Sequence, residues 1–208
     1  MFGNIESILK QKAPLILEAF QGAAEESKIE QLESLVGTVL PNGLKQMYRS
    51  RNGFDNEKVA NLFYGFPFLD IDVIIQAQEK LKSSNNLEPL RYADHEIKSD
   101  YTFGLKRIAI GDDSGTSLLC VDLDPSDTGS YGQIILVDYD MGVALRLNSS
   151  VEELLQQFEA DLSNDKYSLQ EDALEDGVHW LKPSKEIDPV NWFNSPRWQY
   201  VNTALKNS

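Results

Sequence analysis

The sequence predicts an α+β fold with a single antiparallel sheet and helices packed on one face of it. Two observations carry this prediction. Helical periodicity dominates the part of the chain before the middle and returns after residue 150. Between these parts, residues 107–147 hold four short runs rich in Ile, Val and Leu, joined by turn sequences too short to contain a helix. Strands connected so closely are expected to be antiparallel neighbours.

Helices are predicted before the sheet, because apolar residues recur there every three or four positions. Their limits follow from residues that start or stop helices. Proline suits a first turn or interrupts a helix, glycine and asparagine tolerate positive φ, and aspartate caps the free N–H groups of a first turn. These residues are Pro14, Gly37, Pro41, Asn52, Gly53 and Asp70.

Strands are predicted at 107–110, 117–122, 133–137 and 142–147. Residues 62–68 are aromatic and apolar, which predicts a further strand that enters the core. Residues 83–102 are polar and without periodicity, which predicts a long loop. Ser150 and Glu153 form a capping box, and the residues after Ser150 have the clearest amphipathic pattern in the chain.

The net charge of −14 restricts the expected partners. Phosphate backbones and anionic membrane surfaces repel such a chain, so neither nucleic acid nor a membrane is an expected partner. A basic protein is favoured by complementary fields, although the charge could equally serve solubility alone. The single cysteine, Cys120, and the lack of a secretory pattern or long apolar run predict a cytoplasmic, soluble protein.

Several short motifs occur in an order that is more specific than any one of them. In chain order they are Leu40-Pro41, Leu44-Lys45, Tyr48, Asn52-Gly53, Gly111-Asp112, the run 120–125, Gly129, Gly132-Gln133-Ile134, the run 138–140 and the helix after Ser150. This ordered set resembles the segments found in domains of the SUKH superfamily, which includes fungal cell-wall assembly regulators and many bacterial immunity proteins. The resemblance covers about residues 25–165, leaving 1–24 as an N-terminal helical segment and 166–208 as an acidic, tryptophan-containing C-terminal extension.

The resemblance implies a SUKH-like α+β domain without a catalytic centre that binds other proteins. An intracellular immunity protein that neutralises a cognate basic toxin, such as a nuclease, is the favoured function. A regulatory scaffold of the cell-wall assembly type is the alternative. From another class, a carboxylate pair formed by Asp122 and Asp124 would suit glycan hydrolysis.

Candidate partner-binding residues are of two kinds. Acidic residues on the turns would attract a basic partner, and tryptophans of the extension would supply lasting contacts. Each kind has a structural explanation as well, since acids flank Gly and Pro in ordinary turns and a tail can fold back over its domain. The candidates are Asp112, Asp113, Asp124, Asp127, Trp180, Trp192 and Trp198.

No catalytic, cofactor-binding or metal-ligating residue is expected. The chain has two histidines, His95 and His179, which lie far apart and fit no metal or nucleophile motif. Cys120 lies inside an apolar run and is expected to be a buried small hydrophobe. The aspartates could in principle hold a hard cation, but their spacing does not match a calcium loop.

Overall fold

The computed structural model describes residues 2–82, 88–191 and 195–206. It contains eight α-helices within these ranges: α1 Gly3–Lys12, α2 Pro14–Ala19, α3 Glu26–Val36, α4 Asn42–Ser50, α5 Ile71–Lys82, α6 Val151–Ser163, α7 Glu171–Glu175 and α8 Trp198–Lys206. The strands are β1 Tyr92–Ala93, β2 Arg107–Asp112, β3 Ser117–Asp122, β4 Gln133–Asp138, β5 Val143–Asn148, β6 Tyr167–Leu169 and β7 Leu181–Pro183.

The principal sheet has five strands in the order β1-β5-β4-β3-β2. Strands β2 to β5 form the antiparallel meander that the turn sequences predict. The α+β fold class is confirmed, with two additions that the sequence did not indicate. Strand β1 pairs in parallel with β5, so the sheet is mixed, and β6 and β7 form a second, two-stranded sheet.

The two faces of the principal sheet are covered differently. Alternate strand residues such as Ile108, Val121 and Leu136 join the main core, to which the helices contribute. Residues of opposite orientation, including Cys120 and Ile135, belong to a smaller apolar cluster, to which the segment 90–103 contributes. Helices therefore pack on one face, as predicted, while a largely irregular segment covers part of the other.

Both edges of this sheet are occupied. Beside β2, the Leu69 N–H donates to the Ile110 carbonyl at 3.0 Å, and Phe68 forms a single bridge with Gly111. A side chain at Gly111 would clash, since its Cβ would lie 2.8 Å from the Cβ of Phe66. At the other edge the two residues of β1 contact α8.

Helix limits follow the predicted signals. Asp70 Oδ1 accepts hydrogen bonds from the Asp72 and Val73 N–H groups at the start of α5. Ser150 caps α6 by accepting from the Glu153 N–H at 3.2 Å. The carboxylate of Glu153 accepts a hydrogen bond from the Ser149 N–H. In the usual capping box it would accept from the N–H of the N-cap residue, here Ser150. Gly37 ends α3 with a φ of 66°.

The prediction of a strand at 62–68 is wrong. The segment contains a 3₁₀ turn at Phe63–Gly65, and Tyr64 has a φ of 55°. Its phenylalanine rings do enter the core, where the Phe63 ring lies 5.1 Å from that of Phe158. Proline at position 67 has no N–H for a ladder, so this aromatic run is buried without regular pairing.

The prediction that 83–102 is a loop throughout is also wrong, because β1 lies within it. Only two of the described residues of this segment pair with β5. The Tyr92 N–H donates to the Gly142 carbonyl, and the Asp94 N–H donates to the Ala144 carbonyl. So short a strand leaves no periodicity in the sequence. Residues 83–87 of this predicted loop lie outside the described residues.

The C-terminal extension is part of the packed structure. Tyr167, Leu181, Trp198 and Val201 belong to the main core cluster. Asn61 is 0% exposed and forms hydrogen bonds that join β7 to the segment around the 3₁₀ turn at Phe63–Gly65. Its amide nitrogen donates to the carbonyls of Gly65 (3.0 Å) and Leu181 (2.8 Å), and its oxygen accepts from the Leu181 N–H at 2.7 Å. The extension therefore completes a core that the preceding segment leaves open.

Candidate functional site

The acidic turn residues singled out by the sequence lie at opposite ends of the sheet. Asp112 and Asp113 are at the β2–β3 turn, whereas Asp124 and Asp127 are at the β3–β4 turn. Strand β3 lies between them, and six strand residues at about 3.4 Å each place the two turns roughly 20 Å apart. The four residues are therefore two separate features.

The β2–β3 turn meets the β4–β5 turn at one end of the sheet. Ser117 pairs with Asp138, and the Tyr139 N–H donates to the Thr116 carbonyl at 2.9 Å. Tyr139 also donates its hydroxyl proton to the Gly115 carbonyl. This contact brings Tyr139, whose neighbours in the chain are Asp138 and Asp140, to the turn that follows Asp112 and Asp113. We call this group, Asp112, Asp113, Asp138, Asp140 and Tyr139, the acidic end.

Within the acidic end, the aspartates differ in what they already bind. Asp113 Oδ1 accepts from the N–H groups of Gly115 (2.8 Å) and Ser117 (3.0 Å), and Asp112 Oδ1 accepts from Ser114 (2.7 Å). Asp138 is buried and accepts from Met141. Burial is the main cause that raises the pKa of Asp138 above its ordinary value. Turn chemistry therefore explains why positions 112, 113 and 138 hold aspartates.

Tyr139 is the exposed apolar part of the acidic end. The residue is 40% exposed, and its ring lies 5.5 Å from the ring of Phe103. Partial burial raises its pKa, and the four surrounding carboxylates raise it further. The hydroxyl therefore stays neutral and can keep its hydrogen bond to Gly115.

The opposite end of the sheet is organised by Gln133. The Gln133 amide donates to Asp122 Oδ2 and to the Glu96 carbonyl, each at 2.9 Å, and its oxygen accepts from Ser130. Asp122 is fully buried, and this burial raises the pKa of its carboxyl group, although the bond from Gln133 opposes the shift. Asp124 pairs with Lys98 at 2.5 Å. Asp127 is exposed.

Motif residues at this end hold the turn in place. Gly132 has a φ of 84°, and a Cβ there would lie 2.6 Å from Cγ of Pro41. The motif around Pro41 and the motif around Gln133 therefore meet in space. Their close approach requires a glycine, which gives these motif residues a structural role.

The two tryptophans of the extension that the structure describes, Trp180 and Trp198, differ in burial. Trp198 is 0% exposed and donates its indole N–H to the Pro189 carbonyl at 2.7 Å, so it is a core residue and not a surface anchor. Trp180 is half-buried. Trp192, also a candidate, lies outside the described residues. The tail thus folds back over the domain at Trp198.

An apolar groove adjoins the acidic end and was not predicted. It lies between α5 and the outer face of β2 and β3, has a volume of about 410 Å³ and includes Phe103 in its wall. Phe103 is also the ring that Tyr139 contacts, so groove and acidic end are continuous. No sequence pattern marks the groove, because it is made where a helix passes an edge strand.

The remaining reactive side chains have structural surroundings. Cys120 is buried, and burial raises the pKa of its thiol to about 12, as expected for a small hydrophobe. His95 is exposed, and His179 Nδ1 accepts from the Leu15 N–H at 3.3 Å. Across residues 2–82, 88–191 and 195–206, no three His, Cys, Asp or Glu side chains are grouped as a metal site. No helix in the same ranges has the length and apolar character to cross a membrane.

Comparison with known proteins gives one result for the family. No curated protein matches this chain. The model of the SMI1/KNR4 family (SUKH-1) matches residues 23–157, a range that includes α3 to α5, β1 to β5, the acidic end and the groove. The match extends over more than half of the chain, and the α+β fold agrees with it. The chain therefore belongs to the SMI1/KNR4 family (SUKH-1).

Proposed function

We propose that this chain is a non-catalytic protein-binding domain that serves as an immunity protein, neutralising a cognate basic toxin by binding it. Family membership supports the proposal, since the SUKH superfamily includes many bacterial immunity proteins. The single observation that carries it here is the acidic end, where hydrogen bonds of the 40% exposed Tyr139 join two turns that together carry four aspartates.

The chemistry of the acidic end suits a partner rich in lysine and arginine. Carboxylates attract such a partner from a distance and accelerate its association. At contact, the ring of Tyr139 offers apolar area and a π face for a cation. The charged groups and the ring thus act at different stages of the same encounter.

The acidic end is held in place before any partner arrives. Asp113 fixes the β2–β3 turn, and the bonds of Tyr139 to Thr116 and Gly115 join that turn to the next. A surface already ordered loses less conformational entropy when it binds. This rigidity supports a binding role for the turns.

A hydrolytic role for Asp122 and Asp124 is not part of the proposal. Asp122 is buried and accepts from Gln133 and from the Asp124 N–H, and the carboxylate of Asp124 is paired with Lys98. The contacts of Asp122 close the β3–β4 turn, and the ion pair of Asp124 joins this turn to the segment that contains Lys98. They support structural roles at this end of the sheet.

The experiment tests growth and kinetics together. A pull-down with the tagged chain, followed by mass spectrometry, first identifies the bound protein. Where this protein is a toxin domain, the two are co-expressed in bacteria, growth is measured, and association of the purified pair is followed by stopped flow from low to high salt. Restored growth with salt-dependent association supports the proposal. Capture of a cell-wall synthesis protein instead would favour the regulatory scaffold, and a bound toxin domain that still arrests growth would contradict neutralisation.

Asparagine variants isolate the charge of the acidic end. The variant Asp112→Asn/Asp113→Asn/Asp140→Asn keeps side-chain oxygens that can accept the turn hydrogen bonds, and we expect about tenfold slower association at low salt. The control Asp172→Asn/Glu175→Gln/Asp176→Asn removes the same charge at exposed positions elsewhere. Equal slowing in the control, or association insensitive to salt, would contradict steering by the acidic end.

A further inference from the structure

The groove beside the acidic end has the form of a binding pocket. Its volume of about 410 Å³ lies within the range of roughly 300–1,000 Å³ typical of ligand pockets. One wall is the exposed side of α5, and the other is the outer face of the sheet with Phe103. The apolar side chains in these walls include Leu69, Val73, Ala77, Leu81, Ala109 and Leu118.

Arg107 fixes both walls of the groove. Its backbone carbonyl accepts from Gln78 Nε2 of α5 at 3.1 Å. Its guanidinium donates to the carbonyls of Lys98 (2.5 Å) and Thr102 (3.0 Å) and lies 4.1 Å from the ring centre of Tyr101. The helix and the segment that ends in Phe103 are therefore both bonded to β2. The groove is preformed, which lowers the entropy lost on binding.

The charge at the mouth of the groove indicates what would enter it. The charged residues of the wall are Asp112 on the side of the acidic end, Lys80 on the side of α5, and Arg107. Arg107 is 3% exposed, and its guanidinium is directed to backbone carbonyls, so Asp112 and the adjacent Asp113 set the charge at that end of the mouth. Through Phe103, the apolar wall continues to the ring of Tyr139 and so to the acidic end. An apolar side chain in the groove would thus have carboxylates beside its flanking residues.

We propose that the groove receives a large aliphatic or aromatic side chain of the partner, flanked by lysine or arginine. The basic character of this partner segment rests on the proposed function. The acidic end would guide the segment, and the groove would hold it. Side chains inserted in such pockets carry much of the energy of an interface, so the groove would chiefly control the rate of dissociation.

The test uses short peptides, so that it does not depend on any toxin. The full chain, labelled with ¹⁵N, is titrated with acetyl-Lys-Trp-Lys-amide, acetyl-Glu-Trp-Glu-amide and acetyl-Lys-Ala-Lys-amide. We expect the first peptide alone to shift the amide signals of Ala77, Ala109 and Leu118. Shifts confined to other residues, or equal binding of all three peptides, would overturn the proposal.

A filled-groove variant provides the structural control. Ala77 is exposed on α5 and lines the groove, so Ala77→Leu fills the space without disturbing the core. We expect it to weaken binding of acetyl-Lys-Trp-Lys-amide at least tenfold. Ala204→Leu makes the same change at an exposed position of α8 and should leave binding unchanged. Unaltered binding by Ala77→Leu would overturn the proposal.

Two further outcomes separate this proposal from the proposed function. If the chain neutralises a captured toxin domain but Ala77→Leu does so equally well, the groove proposal fails and the function stands. If the peptide binds in the groove while no toxin is bound, the function fails and the groove remains a site for basic peptides. Groove signals that shift on dilution without peptide would show that a second copy occupies it, which would also overturn the proposal.

Discussion

Replacing Asn61 tests whether the C-terminal extension belongs to the folded core. Asn61 makes three buried hydrogen bonds, two of them to the backbone of Leu181 in β7. Asn61→Ala leaves two carbonyls and one N–H without these partners. An unsatisfied buried group costs about 1–3 kcal/mol, and the low end applies where water can enter the space left by the side chain. With three such groups at about 1 kcal/mol each, we expect a loss of about 3 kcal/mol in the free energy of unfolding.

Asn61→Asp adds a dependence on pH with a definite sign. Its carboxylate would face the carbonyl oxygens of Gly65 and Leu181, so the folded-state pKa would rise above the value of about 3.9 in the unfolded chain. Below pH 4 the protonated group can still donate one hydrogen bond. As the pH rises above that value, the variant should lose about 1.4 kcal/mol per unit until the folded-state pKa is passed.

Urea unfolding followed by fluorescence measures both effects, at pH 4 and at pH 7. Hydrogen exchange should accelerate at Leu181 in Asn61→Ala, because that amide loses its acceptor. Asn4→Ala is the control: Asn4 is exposed with one hydrogen bond to Glu159, and its loss should change stability by no more than about 0.5 kcal/mol. The reasoning is refuted if Asn61→Ala unfolds at the urea concentration of the unaltered chain, or if Asn61→Asp is equally stable at both pH values.

Three other predictions concern single buried groups. Trp198→Ala should cost about 3–5 kcal/mol in urea unfolding, against about 1 kcal/mol or less for the half-buried Trp180→Ala, and similar losses would contradict the assignment of Trp198 to the core. The Cys120 thiol should react with a disulfide reagent only when the chain unfolds, so rapid labelling in native buffer would be incompatible with its burial and raised pKa. Burial raises the pKa of Asp138, so the unaltered chain loses stability relative to Asp138→Asn as the pH rises from about 4 towards 7. Urea unfolding at the two pH values checks this, and an equal difference at both would disprove it.

The sequence predicted the starts of helices α5 and α6 correctly from their capping residues. The capping box at Ser150 and the N-cap at Asp70 are where the sequence indicates, because capping involves only neighbours in the chain. The prediction of a strand at 62–68 was wrong because an apolar run looks the same in the sequence whether its rings are buried in a strand or in an irregular segment. Strand β1 was missed because its pairing with β5 joins segments about fifty residues apart.

The sequence predicted which acidic residues lie on turns, but it did not predict which of these turns lie close together. In an antiparallel meander, alternate turns lie at the same end of the sheet. That rule would have joined Asp113 to Asp140 and separated both from Asp124 and Asp127. The groove had no such signal, since it depends on where α5 crosses β2. Burial of Trp198 likewise depends on contacts that no periodicity of the extension reveals.

The closed edges of the principal sheet determine how a partner can be recognised. Many proteins bind a peptide as an additional strand, using backbone bonds that any sequence can make. Here Leu69 already bonds to the outer side of β2, and α8 lies beside β1. A partner of the kind proposed above would then be recognised by side chains that turns and the groove display. Such positions tolerate substitution without disturbing the backbone ladder, so related chains could acquire different partners while keeping the same sheet.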